Sequence, residues 1–152
     1  MKAWQQWLGL AARVGLGAAF LAAGAIKVTD LAASARAVNA YQLMPWEMAQ
    51  FVGVVQPVLE IGVGLLLLAG LATRLAASLA ALAMVAFIAG IASAWARGLS
   101  IDCGCFSRGG TLPVGQNPNY AWDIARDVAL LALAIYLVVF PVTKYSLDRR
   151  MS

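Results

Sequence analysis

Residues 75–96 read LAASLAALAMVAFIAGIASAWA, 22 positions without one charged side chain. As a helix this stretch is about 33 Å long at 1.5 Å per residue, enough to cross roughly 30 Å of hydrocarbon. A backbone in lipid has no water to bond to and must satisfy its own donors and acceptors, which a helix does. The run also lacks the alternation of a barrel strand. It is read as a transmembrane helix.

Three further apolar runs of similar length flank it, at residues 7–28, 48–71 and 122–142. The chain is therefore expected to be an all-α membrane protein: a four-transmembrane-helix bundle forming a single domain over residues 1–152. Composition agrees. Hydrophobic residues make up 62% and charged residues 12%, and the mean hydropathy is +0.81, where a soluble domain is about half apolar and a quarter charged. The net charge of +4 is scattered, with no basic run to suggest nucleic acid. The first run also has features of a signal peptide, with Met1-Lys2 ahead of it and Ala23-Gly24-Ala25 as a cleavage-like site. Its length and the interruption by Arg13 favour an uncleaved helix.

The connections differ in length. Thr73 and Arg74 form a short turn that makes the second and third helices antiparallel neighbours. Residues 29–47 are longer, with Asp30 placed to cap a short helix that lies along the membrane interface between helices 1 and 2. Residues 97–121 hold both cysteines and a Gly-, Pro- and Asn-rich stretch without periodicity. Lys and Arg counts on the two sides tie. The dense tail from Lys144 to Arg150 then places both termini in the cytoplasm and the cysteine loop outside, in a cell (inner or cytoplasmic) membrane. Small residues recur every four positions at Ala86, Gly90 and Ala94, a spacing that lets helices pack closely.

Cys103 and Cys105 are the only cysteines, in Asp102-Cys103-Gly104-Cys105-Phe106, and there is no histidine. Three readings compete. Two thiolates without histidine fall short of a closed zinc site, so no metal is expected. A static bridge across one residue closes too small a ring to stabilise much and strains disulfide geometry. The third reading is a redox-active dithiol, since strained, exposed disulfides are the labile ones. Gly104 permits the tight backbone this needs. Lys27, Arg97 and Arg108 share the cysteines' side of the membrane and would favour a thiolate; Asp102 would oppose it or accept its proton.

Charge inside apolar runs is costly and usually faces a partner in the bundle interior. Arg13 and Glu60 are such charges, and two readings stand: a buried Arg13–Glu60 ion pair, or a role in proton transfer or quinone-headgroup binding. Pro57, one turn before Glu60, removes a backbone donor and is expected to kink its helix. Asp123, Arg126 and Asp127 open the last run. Helix capping is their default reading, with Arg126 one turn in and able to face inward. Tyr120 and Trp122 are read as interface anchors.

With these residues placed, the chain resembles the MauE/DoxX family of small membrane proteins along nearly its whole length. Arg13-x3-Gly17-x2-Phe20-x3-Gly24-x2-Lys27, Tyr41-x-Leu43-x-Pro45, Pro57-x2-Glu60-x3-Gly64 and Gly70-x2-Thr73-Arg74 carry the likeness. Asp102-Cys103-Gly104-Cys105-Phe106, followed by Trp122 and Arg126-Asp127, is similar to the MauE branch. The resemblance implies a four-helix membrane bundle that works beside thioredoxin-like proteins of the cell envelope.

The leading expectation is a membrane thiol–disulfide oxidoreductase. Cys103 and Cys105 exchange with a thioredoxin-like or DsbA-like protein, and electrons move to or from a membrane quinone, by architectural analogy with DsbB and vitamin K epoxide reductase-type bundles. Arg13, Lys27, Glu60 and Arg126 are the groups expected near the quinone or a proton path. The lipid bilayer is the other partner, and a homo-oligomer is left open. Two alternatives are a non-enzymatic accessory or assembly subunit, and a small-molecule or lipid carrier with a cavity beneath Pro57 and Glu60.

Overall fold

A computed structural model describes residues 2–99, 101–102, 110–111, 120–141, 143 and 147. Five helices and one small hairpin follow in the order α1 (Ala3–Val28), α2 (Leu31–Ala40), α3 (Trp46–Ala69), α4 (Thr73–Ala96), β1 (Ile101–Asp102), β2 (Gly110–Thr111) and α5 (Tyr120–Val139).

The apolar runs become the four long helices, shifted by a few residues. α1 buries a stripe through Ala12, Arg13, Leu16, Gly17, Phe20, Ala23, Gly24 and Lys27, the three- and four-residue spacing of one helix face. That face meets α3 in antiparallel fashion with almost no side chain between the backbones. A Cβ added at Gly24 would lie 2.8 Å from Pro57 O, and one at Gly64 would lie 2.7 Å from Leu21 N. Only glycine fits at these two points, and the close approach supplies the dispersion contact on which helix association in lipid depends. Leu and Val point outward instead: Val58, Leu59, Leu65, Leu75 and Leu82 are all exposed. Large apolar residues on the outside, with glycine and alanine at the closest helix contacts inside, is the pattern expected of a bilayer-facing bundle.

The short turn lies at residues 70–72, and Thr73 and Arg74, expected to form it, begin α4 instead. Gly70 adopts a left-handed conformation, φ 70°. Leu71 N–H then reaches Leu66 O at 3.0 Å and Gly70 N–H reaches Leu67 O at 3.2 Å, a Schellman ending. Arg74 Nε donates to Val138 O at 3.1 Å, tying the start of α4 to the end of α5. Asp30 does cap α2, accepting from Ala33 N–H at 3.0 Å. α3 continues as one helix through Pro57.

The long helices close into a ring in which α1 packs on α3 and α5, α4 packs on α5, and α2 lies along α3. The last seam, α3 against α4, is much looser than α1 against α3 although only three residues join the two helices. One end of the ring gathers the C-terminal ends of α1 and α4, the N-terminal ends of α3 and α5, α2 and the hairpin.

That hairpin is a feature the sequence reading did not contain. Ile101 pairs with Thr111 and Asp102 with Gly110. Tyr120 fastens it: its hydroxyl accepts from Ile101 N–H at 3.1 Å and donates to Leu99 O. Tyr120 is buried, so it is an internal clamp rather than the interface anchor expected of it. Trp122 is 63% exposed, in keeping with an anchor. α1, α3 and α4 are each long and apolar enough to cross a membrane.

Candidate functional site

Two buried charges meet between α1 and α3. Lys27 Nζ lies 2.8 Å from Glu60 Oε1 and 3.1 Å from Oε2, and Gln56 Nε2 donates to Oε1 at 3.3 Å from one turn earlier on α3. Lys27 is 5% exposed and Glu60 3%. The ammonium also sits 5.5 Å from the centre of the Phe87 ring on α4, within range of a cation–π attraction. A charge in hydrocarbon is expensive, and pairing with extra hydrogen bonds is what makes it tolerable.

The Arg13–Glu60 pair expected from the sequence is not formed; Lys27 takes Arg13's place. Cα–Cβ bonds on a helix tilt toward its N-terminus. α1 and α3 run antiparallel, with Gly24 beside Pro57 and Gly17 beside Gly64, so Glu60 stands level with the turn just before Lys27. Lys27 leans back onto it. Arg13 leans in the same N-terminal direction, which carries it away from Glu60, and donates from Nη1 to Thr143 Oγ1 at 3.0 Å. The two basic residues are about 21 Å apart along α1 at 1.5 Å per residue, so Arg13 does not join the Lys27–Glu60 cluster.

Arg126 belongs to a second cluster at the start of α5. It reaches Asp127 through Nε at 3.1 Å and Nη2 at 3.0 Å, and Asp123 through Nη1 at 3.4 Å. Asp127, read from the sequence as part of the helix cap, is fully buried, a placement that capping alone does not require. The signal was there: an acid eight residues into an apolar helix, directly after an arginine. Asp127 and Glu60 both line one small cavity together with Phe20, Met84 and Phe87, so the two charged clusters border the same space.

Two larger cavities converge on the Lys27–Glu60 pair. One, of about 150 Å³, is bounded by Lys27, Ser34, Tyr41, Gln56 and Gly90. The other, of about 410 Å³, lies in the loose α3/α4 seam, with Glu60 and Gln56 on its inner wall and Phe51, Leu59, Leu79 and Leu82 toward the outside. Val52, Gln56 and Phe87 border both. Arg97 holds the α2–α3 link over this end of the bundle, donating to Gln42 O at 3.4 Å and to Tyr41 O.

Cys103 and Cys105 lie outside the described residues. Asp102, the residue before them, is at the end of the ring where Lys27 also lies. Among the described residues no group of three His, Cys, Asp or Glu is placed to hold a metal.

Apolar helices packed through small residues, with the buried charges paired between or along them, define a multi-pass helical membrane protein. Over residues 5–140 the chain matches the family model described as Methylamine utilisation protein MauE, and it belongs to that family. The MauE side of the resemblance is thereby borne out. No curated protein and no solved structure matches the chain.

Proposed function

We propose that this chain is a membrane thiol–disulfide oxidoreductase that passes electrons between a thioredoxin-like envelope protein and a membrane quinone. The observation that carries the reading is the position of the buried Lys27–Glu60–Gln56 cluster. It borders two cavities at the end of the bundle from which the Cys103-Gly104-Cys105 segment departs.

In the oxidising direction, a thiolate of the partner attacks the Cys103–Cys105 disulfide. A mixed disulfide forms and one cysteine of the chain leaves as a thiolate. The partner's second thiolate then attacks the mixed disulfide, so the partner ends oxidised and the chain holds two thiols. Re-forming the Cys103–Cys105 bond releases two electrons and two protons. A quinone bound in the bundle takes up two electrons and two protons. Lys27 and Gln56 are the donors that would hold a carbonyl oxygen, and Glu60 is the group that would carry a proton. Run backward, the same bonds reduce the partner.

In this reading α5 is the fourth span. Its charges Asp123, Arg126 and Asp127 are drawn together at one end, which leaves an apolar stretch from Val128 onward. α2 lies at the interface, both termini are cytoplasmic, and the cysteine segment faces the outside of the inner membrane. Lys2 and Arg74 at the opposite end support that orientation.

Single replacement of Cys103 or Cys105 by Ser tests the reading. One of the two variants is expected to accumulate a mixed disulfide with an envelope thioredoxin-like protein in cells, visible on non-reducing gels. If neither captures a partner and both retain function, the proposal fails and the accessory-subunit alternative replaces it.

A further inference from the structure

The α3/α4 seam carries an inference beyond the headgroup site. Its cavity, about 410 Å³, is in the size range of small-molecule sites. Its outer rim is made of side chains that face away from the bundle: Phe51 is 70% exposed, Leu59 57% and Leu82 68%. In a bilayer-spanning helix pair such residues face acyl chains, so this cleft opens sideways into lipid. Its inner wall is polar only at Gln56 and Glu60, where it abuts the smaller cavity that contains Lys27, Ser34 and Tyr41.

A molecule that fits both spaces has a compact polar head and a long apolar chain. Charge narrows the class further. The only cation bordering the smaller cavity among the described residues is Lys27, and Glu60 already neutralises it at 2.8 Å. A phosphate or free carboxylate would enter without a countercharge, at the cost of a buried unpaired anion. A neutral head with carbonyl acceptors meets no such penalty and can take hydrogen bonds from Lys27 and Gln56.

We infer that the α3/α4 cleft is a lateral entrance and tail groove for an isoprenoid-tailed quinone, which reaches the Lys27–Glu60 pair from the lipid phase. The identity of the head rests on the redox function proposed above; the groove itself rests on the seam.

The test is photolabelling of the full chain in liposomes with a quinone analogue that carries a photoactivatable group on its isoprenoid tail. Crosslinks are expected on α3 and α4 near Val55, Leu59, Leu79 and Leu82, competed by excess long-tailed quinone but not by tail-less benzoquinone. Ala83→Phe fills the cleft, and Leu79→Trp blocks its rim without entering the packed interior. Each is expected to lower labelling roughly tenfold, the effect of denying burial to about two chain methylenes. Val85→Trp, on the lipid face outside the cleft, is expected to leave labelling unchanged. The inference is overturned if α3 and α4 are not labelled. It is also overturned if a diacyl phospholipid probe labels them equally and quinone does not compete, or if both blocking variants label like the parent. Oxidation of the reduced Cys103/Cys105 pair by quinone is followed separately: its failure with labelling intact sinks the redox function and leaves the groove standing.

Discussion

Lys27 and Glu60, 33 residues apart in the chain, form a buried ion pair at 2.8 Å that joins α1 to α3. Neither charge has an alternative in water, so the consequences of removing one partner are asymmetric. Lys27→Met leaves Glu60 buried and uncompensated, and is expected to destabilise the bundle by about 3–5 kcal/mol. The double variant Lys27→Met/Glu60→Leu is expected to recover most of that loss. Equilibrium unfolding in detergent micelles, arranged as a double-mutant cycle, measures the difference. A double variant as unstable as the single one would show that the pair does not account for the loss.

Close backbone contact at the α1/α3 seam gives a sharp contrast between neighbouring glycines. Gly64→Ala must displace backbone at 2.7 Å, whereas a Cβ at Gly62 meets nothing within 4 Å. The first is expected to cost about 1–3 kcal/mol as overpacking. The second is expected to be neutral or slightly stabilising, by up to about 1 kcal/mol, because alanine is the better helix former. Thermal unfolding of the two proteins side by side checks the order.

Asp127 and Asp123 both face Arg126 but in different settings. Asp127 is wholly buried with two short contacts, while the side chain of Asp123 is 17% exposed at 3.4 Å. Asp127→Ala is expected to cost several kcal/mol, about 3–5. Asp123→Ala is expected to cost about 1 kcal/mol or less. Equal losses at the two positions would mean that α5 is held by its acids collectively.

Tyr120→Phe removes the hydroxyl that accepts from Ile101 N–H. A buried amide left without its acceptor costs about 1–3 kcal/mol, and the loss falls on the hairpin alone. Hydrogen exchange at Ile101 is expected to accelerate while the exchange of α1 and α3 stays as in the parent. Uniform acceleration would show that the tyrosine supports the whole bundle.

The orientation proposed for the cysteine segment is open to a chemical test in cells. A membrane-impermeant thiol reagent, applied to intact cells after mild reduction, is expected to modify Cys103 and Cys105. Modification only after lysis would place the segment on the cytoplasmic side.

The helices were legible because the bilayer imposes length and apolarity on each one separately. The Asp30 cap was legible because a cap is a local device. Glu60 could be singled out as a buried charge, but its partner could not, because pairing depends on the register between two helices. Counting along the apolar runs set Arg13 and Glu60 only several Å apart in depth. The glycine contacts at Gly17, Gly24 and Gly64 fix a different register, and the N-terminal lean of helical side chains selects Lys27. The hairpin left no trace in the sequence because strands of two residues are too short to show alternation. Asp127 was hidden by a good local explanation, since an acid near a helix start needs no tertiary role.

The loose seam between α3 and α4 also bears on how the molecule is put together. The turn at residues 70–72 joins α3 and α4 where their packing is sparser than that of α1 on α3. The chain thus divides into an N-terminal half, α1 to α3, and a C-terminal half, α4 with α5, that meet along α1 and α5 and, to a similar extent, along α3 and α4. Gly70 is the natural place to cut. Each of those two interfaces pairs a helix of one half with a helix of the other, so the fold has the organisation of an internal heterodimer whose halves one short turn keeps at equal stoichiometry.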